Sequence, residues 1–193
     1  MLKISQKNNT SVITNYSDIY NENLEFLYSQ KKLIGKISFI RADFGKFSLK
    51  YKNRSFTPFK DWYPHIFASI FKFVKNIKFV KIISHKIEKK NGSFFENLNL
   101  YFKAENNVYG IINFSNLPKM KNRNLEIIGS KGKIKYDGYN QKNNYLELKK
   151  KIYPKKIKLS PMQAILNKLY FVMKKKIYYN DLDLSLKIEK VLK

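Results

Sequence analysis

Cysteine is absent from this chain of 193 residues, and histidine occurs only twice, as His65 and His85. The lack of cysteine excludes a disulfide scaffold, a cysteine metal site and a thiol nucleophile, and it fits a reducing cytoplasm. The scarcity of histidine argues against a metal site built from several histidines. Long apolar runs are missing too: Ile66–Val74 is about half of a membrane span and contains Ser69 and Lys72. We expect a cytoplasmic protein with neither a metal site nor a membrane span.

Acidic residues are also scarce: 14 Asp and Glu stand against 39 Lys and Arg, which gives a net charge of +25. Such a charge is typical of a protein that binds a polyanion, either nucleic acid or an anionic membrane. However, all but three of the basic residues are lysines, the exceptions being Arg41, Arg54 and Arg123. Readers of nucleic acid favour arginine, and these lysines are spread along the whole chain. We therefore attribute the charge mainly to a codon bias, and nucleic-acid binding stays the alternative.

The apolar periodicity predicts an α+β fold. Helices are expected at 21–33, 64–75, 161–175 and from about 182, and residues 2–9 resemble the end of a further helix. Strands are expected at 10–20, 36–49 and 78–89, with hairpins over 93–117 and 123–138 and an edge strand at 144–153. Because the strands come mostly in one block, we predict an open, mostly antiparallel sheet with helices on one face. The other sheet face would then be covered by a partner.

The stretch KDWYPHIFASIFKFV, residues 60–74, holds the candidate catalytic residues. Pro64 has no N–H to donate and is comfortable as a first helical residue, which predicts that the helix begins there. His65 would lie in the first turn, where the helix dipole favours a neutral imidazole that can accept a proton. Asp61, just upstream, could orient the ring or contact a substrate hydroxyl. The alternative is that Asp61 and His65 are solvated residues near a helix start.

A helical projection of this segment separates two faces. His65 falls on the side of Ala68, Ser69 and Lys72, away from the apolar face. That face is formed by Ile66, Phe67, Ile70, Phe71, Phe73 and Val74. A histidine belonging to the core would be expected on the apolar face. The second histidine, His85, lies within a lysine-flanked strand and is interpreted as an ordinary residue.

The segment DWYPHIFASIFKFV resembles the D-x-x-x-H motif of the Gfo/Idh/MocA oxidoreductases, a family that includes glucose–fructose oxidoreductase and inositol dehydrogenase. LIGKISFIRADFG is similar to the strand that enters the second domain of that family. NVYGIINFSNLP and RNLEIIGSKGKIKYDG are similar to its later strands, the second of them through an I-x-G-x-x-G turn. The order and spacing of these segments carry the resemblance, which extends from about residue 10 to residue 192.

The resemblance implies an enzyme that transfers hydride between NAD or NADP and a hydroxyl carbon of a sugar or cyclitol. Carried over, His65 would be the general acid/base and Asp61 would position the substrate. Tyr16, Trp62 and Tyr63 would contact the substrate, although Tyr63 stands where the family usually has a small residue. The resemblance also implies an oligomer formed through the open sheet face.

Two family motifs are missing from this sequence: the dinucleotide-binding G-x-G-x-x-G and the lysine motif E-K-P. The segment GSKG at 129–132 reads as a hairpin turn and not as a phosphate cradle. We therefore assign residues 1–15 to the end of a nucleotide-binding domain and residues 16–193 to a substrate-binding and oligomerisation domain. We expect a truncated chain that binds no cofactor alone and is inactive without a separate Rossmann domain. A non-catalytic homo-oligomeric scaffold is a further alternative.

Overall fold

The fold was obtained as a computed structural model, which describes residues 4, 7–48, 56–154 and 160–191. The predicted helix end at 2–9 therefore lies mostly outside the described residues. The α-helices described are α1 (Glu22–Ser29), α2 (Pro58–Phe71), α3 (Pro161–Lys175) and α4 (Leu182–Val191). The strands are β1 (Ile37–Lys46), β2 (Ile77–Lys90), β3 (Ser93–Ala104), β4 (Tyr109–Ser115), β5 (Lys121–Gly129), β6 (Gly132–Asp137), β7 (Tyr145–Glu147) and β8 (Lys151–Ile152).

All eight strands form one open sheet in the order β2-β3-β4-β1-β5-β6-β7-β8. Strands β1 and β4 run parallel, and every other neighbouring pair is antiparallel. The helices α1, α2 and α4 contact the sheet, and in strands such as β1, β3, β4 and β6 core-facing residues alternate with outward-facing ones. In β1, for example, Ile40, Ala42 and Phe44 are buried, whereas Arg41 is exposed. The predicted α+β class and the mostly antiparallel sheet are confirmed.

Several local features follow from short-range signals in the sequence. Asn21 caps α1 by accepting the Asn23 N–H at 2.9 Å. Helix α3 begins at Pro161 after a capping box, in which the Ser160 and Gln163 side chains each bond the other residue's backbone N–H. The segment GSKG joins β5 to β6 as a hairpin, with Gly129 opposite Gly132. This segment therefore has a strand on both sides and lacks the strand-to-helix geometry of a phosphate cradle.

The predicted start of α2 is wrong. The helix begins at Pro58, six residues earlier, and Pro64 lies inside it. Proline is favoured at the first helical position, and this rule applies to Pro58 as well as to Pro64. The prediction used Pro64 and did not consider Pro58. An interior proline weakens a helix, but Ile66, Phe67 and Ile70 are fully buried, so tertiary packing outweighs that cost here.

Two strand predictions also need correction. Residues 10–20 form no strand: Val12 makes an isolated bridge to Asn180, and a short 3-10 helix follows at Ser17–Tyr20. Segment 144–153 is not one edge strand but the hairpin β7–β8. Neither segment has the sustained alternation that identifies a strand, which is why propensity alone misassigned them. Within the described residues, no helix combines the length and apolarity that crossing a bilayer requires.

Candidate active site

Helix α2 brings Asp61, Trp62 and His65 to the edge of one cavity of about 370 Å3. Asp61 and His65 are four residues apart in a helix, so their side chains share one face. All three residues are partly buried. The structure thus places the D-x-x-x-H pair together at a cavity, not at a solvent-exposed helix start.

His65 is surrounded by aromatic rings. Its imidazole stands edge-on to Tyr16, with ring centroids 6.1 Å apart and an interplanar angle of 84°, and its centroid is 6.4 Å from that of Trp62. Its Nδ1 atom is shielded from solvent. Because α2 starts at Pro58, His65 is the eighth helical residue and lies beyond the first turn. The expected bias toward a neutral imidazole therefore cannot come from the helix N-terminus, whose influence ends within about one turn.

Of the three aromatic residues expected to contact substrate, only Trp62 lines the cavity. Tyr16 packs behind His65, and its hydroxyl donates to Ser185 Oγ of α4 at 3.1 Å. Burial raises the pKa of the Tyr16 hydroxyl above its usual value. Tyr63 packs on Phe59, with ring centroids 6.0 Å apart. Tyr16 therefore packs against the His65 ring and Tyr63 against Phe59, and the substrate contacts expected of all three aromatic residues stay predictions.

A buried ion pair between Arg123 and Asp18 lies beside Trp62. Arg123 Nε donates to both carboxylate oxygens of Asp18, at 2.7 and 2.9 Å, and Nη2 donates to Asp18 and to Ser17 Oγ at 2.7 and 2.6 Å. The Tyr136 hydroxyl also donates to Asp18 at 2.9 Å. Burial alone would lower the pKa of Arg123, but the Asp18 carboxylate outweighs it and the pKa is raised. Arg123 thus lines the cavity as a charge that is already neutralised.

Sequence reasoning missed this pair. Arg123 is one of only three arginines in a lysine-rich chain, and that rarity is the signal that could have singled it out. Arginine suits a buried pair because its planar fork can bind a carboxylate bidentately. Its partner Asp18 carries no such signal, since it is 105 residues away in the chain. The guanidinium carbon is 5.8 Å from the Trp62 ring centroid, so the pair also supports the ring that lines the cavity.

The cavity is also lined by Asn15 and, at the start of α3, by Ser160, Met162 and Ile165. The lining mixes polar and apolar groups, as binding sites for small molecules commonly do. His85 is not among the residues lining the cavity: its Nε2 atom lies 2.8 Å from Glu96 Oε1 on the neighbouring strand. Within the described residues, no cluster of three or more His, Asp or Glu side chains could hold a metal ion.

No protein-family model and no curated protein matches the sequence. Solved structures do match in fold. An oxidoreductase from Magnetospirillum magnetotacticum superposes over 97% of this chain and 64% of its own, with a TM-score of 0.77 and 16% identity. Biliverdin reductase from Synechocystis, solved with biliverdin and NADP+, covers 92% of this chain and 59% of its own, with a TM-score of 0.71 and 12% identity.

An oxidoreductase from Agrobacterium radiobacter, solved with NAD+, L-tartaric acid and magnesium, covers 99% of this chain and 64% of its own, with a TM-score of 0.69 and 10% identity. The chain has the fold of Gfo/Idh/MocA-type oxidoreductases. It spans less than two thirds of the length of each of these three neighbours. The predicted resemblance to one part of such an oxidoreductase is confirmed at the level of the fold.

Proposed function

We propose that this chain forms the substrate-binding and oligomerisation part of a cytoplasmic NAD(P)-dependent oxidoreductase that acts on a hydroxyl group of a sugar or cyclitol. Residues 16–193 would be that domain, and residues 1–15 would belong to the end of the nucleotide-binding domain. The observation that carries the proposal is the placement of Asp61, Trp62 and His65 at one cavity of about 370 Å3. That volume suits a small molecule of sugar size.

The charges around the cavity favour a neutral, hydroxyl-bearing substrate. Arg123 is neutralised by the bidentate Asp18 carboxylate, so it offers little attraction to a substrate anion. Asp61 adds a carboxylate that can accept hydrogen bonds from hydroxyl groups. The Trp62 ring supplies an apolar surface for the C–H face of a sugar. These features together suit a sugar or cyclitol better than a dicarboxylate.

In the proposed mechanism, Asp61 accepts a hydrogen bond from a substrate hydroxyl and fixes its orientation. The His65 imidazole then accepts the proton of the reacting hydroxyl as a general base, and returns it in the reverse reaction. The described residues contain no dinucleotide cradle, since the GSKG segment joins two strands. We therefore assign the nicotinamide site to a separate Rossmann domain. The steps proposed for these residues are the orientation of the substrate and the transfer of its hydroxyl proton.

The oligomer interface would be the open face of the sheet. Outward-facing aromatic residues lie in contact there: Tyr101 stacks on Tyr109 with centroids 6.2 Å apart, and Phe79 lies 5.8 Å from Tyr101. Tyr109 and Phe79 are exposed in the single chain. An exposed aromatic cluster on a sheet face is typical of a surface that a partner covers.

Ligand binding tests the proposed site. Trp62 is the only tryptophan in the chain, so its fluorescence reports on the cavity directly. We expect at least one of myo-inositol, glucose and related neutral polyols to change Trp62 emission saturably, and tartrate to bind more weakly. His65→Ala and Asp61→Asn should each weaken binding about tenfold, the effect of one lost hydrogen bond.

The matched control is Asp43→Asn, which makes the same change as Asp61→Asn at a carboxylate outside the cavity and should leave the affinity unchanged. A panel in which no polyol perturbs Trp62, or in which the Asp61 and Asp43 variants bind alike, would refute the proposed site. The oligomer is tested separately by light scattering on Tyr101→Glu, which should give monomers. Leu33→Glu, at another exposed apolar residue, is its control.

A further inference from the structure

Glu96 places a buried carboxyl group beneath the first turn of α2. It lies on β3 and is only 1% exposed. Its Oε2 atom accepts the backbone N–H of Phe59 at 2.7 Å, and its Oε1 atom lies 2.8 Å from Nε2 of His85. A buried carboxyl group is costly unless it is bonded in this way, so the position of Glu96 requires an explanation.

The start of α2 lacks the cap that its own sequence would normally supply. Thr57 occupies the N-cap position, yet its side chain makes no capping hydrogen bond. The N–H groups of the first turn have no partner inside a helix and must find one elsewhere. Glu96 provides that partner for Phe59, the second residue of α2, from a strand 37 residues further along the chain. A carboxylate is also favoured there by the helix dipole.

The hydrogen bond between Glu96 and Phe59 affects the candidate site because Pro64 interrupts the hydrogen bonding of α2. Because proline has no N–H, the carbonyl of Lys60 loses its usual helical partner. Asp61 lies inside the turn that this bond would have closed, and His65 follows that turn. With one backbone hydrogen bond fewer, the turn is held less firmly to the rest of α2, so an attachment from outside the helix helps to fix Asp61 relative to His65.

Glu96 is itself fixed in place by its neighbours. Its backbone N–H donates to Asn116 Oδ1 at 2.6 Å, and its carbonyl accepts the Asn116 N–H at 3.2 Å. The Asn116 side-chain amide in turn donates to the Phe94 carbonyl at 2.9 Å. With His85 holding the second carboxyl oxygen, the side chain has little freedom to move. It can therefore act as a rigid attachment between the sheet and α2.

We propose that Glu96 is a positioning residue, which holds the first turn of α2 so that Asp61 stands at the right distance from His65. The role of these two residues in catalysis rests on the proposed function, but their placement by Glu96 does not. His85 contributes by orienting the Glu96 carboxyl group. This gives a role to a histidine that sequence analysis interpreted as ordinary.

Nuclear magnetic resonance on the whole chain tests the proposal without any ligand. The chain has one indole N–H, from Trp62, and two imidazole rings, so the signals that matter are few. In Glu96→Ala, amide exchange at Phe59 should accelerate at least about tenfold, and the Trp62 and His65 signals should shift. Glu96→Gln keeps an oxygen acceptor for Phe59 and a donor for His85, and it should restore both signals toward the wild type.

The control is Leu146→Ala, which removes a fully buried side chain from β7. It should destabilise the core while the Phe59 exchange rate and the two site signals stay unchanged. Uniform loss of stability in Glu96→Ala, with Trp62 and His65 unshifted, would overturn the proposal. If that variant does not fold, His85→Ala decides: we expect a small shift at Trp62, and an unshifted Trp62 signal would overturn the proposal. A failure of polyol binding alone would refute the proposed function and leave this inference standing.

Discussion

Replacing Asp18 by asparagine should destabilise the protein strongly. Asparagine keeps the shape and an oxygen that can accept the Tyr136 hydroxyl, but it removes the charge that faces Arg123. The side chains of the pair are only 10% and 2% exposed, so solvent cannot replace the lost carboxylate. Removing one partner of a buried pair typically costs about 3–5 kcal/mol. For a chain of this length, that corresponds to a fall in Tm of roughly 6–20 °C.

The assay is urea unfolding at pH 7, followed by circular dichroism and by Trp62 fluorescence. Asp43→Asn is the matched control, because Asp43 pairs with Arg41 at 2.8 Å on the surface, where the side chains are 23% and 49% exposed. That change should cost at most about 1 kcal/mol. Adding Arg123→Met to the Asp18 variant should recover at least half of the lost stability, since no uncompensated charge is left. Equal effects of the two asparagine variants would refute the reasoning.

Two further predictions concern the backbone and alkaline pH. Gly45 has φ +127°, and a Cβ there would lie 2.0 Å from the Ser115 carbonyl oxygen, so Gly45→Ala should lower Tm by several degrees in a thermal melt or prevent folding. Burial raises the pKa of Tyr20 and Tyr136 above the usual 10.0, so their contribution to stability is complete below about pH 10 and is lost at higher pH. Tyrosinate absorbance should therefore complete its rise only together with unfolding. A complete rise while circular dichroism stays native would contradict this prediction.

Local signals in the sequence predicted much of the fold. The hairpins at β3–β4 and β5–β6 follow from alternating strands joined by Asn- or Gly-containing turns. Helix α3 follows from a proline preceded by a serine cap. The start of α2 could not be fixed in the same way, because Pro58 and Pro64 carry the same local signal. The choice between them is made by tertiary contacts, among them the Glu96 side chain.

The candidate site was only half visible in the sequence for a similar reason. Asp61 and His65 are only four residues apart, so the sequence could mark them as a pair, but their shared helical face follows only from the start of α2 at Pro58. Arg123 and Asp18 come together only because β5 packs near the 3-10 turn at Ser17–Tyr20. A contact across 105 residues leaves no periodic trace in one sequence. Composition alone, through the rarity of arginine, could have pointed toward Arg123.

The central position of β1 has a consequence for folding order. Strands β2 to β4 and strands β5 to β8 are each joined by short connections, so each group can form from contacts that are near in sequence. Strand β1 joins the groups, pairing Phe39 with Tyr109 on one side and Ile128 on the other. These pairings of β1 join residues that are far apart in the chain, and closing such long loops slows folding. We therefore expect the insertion of β1 to be rate-limiting, and until it occurs the chain exposes two unpaired edges that are open to aggregation.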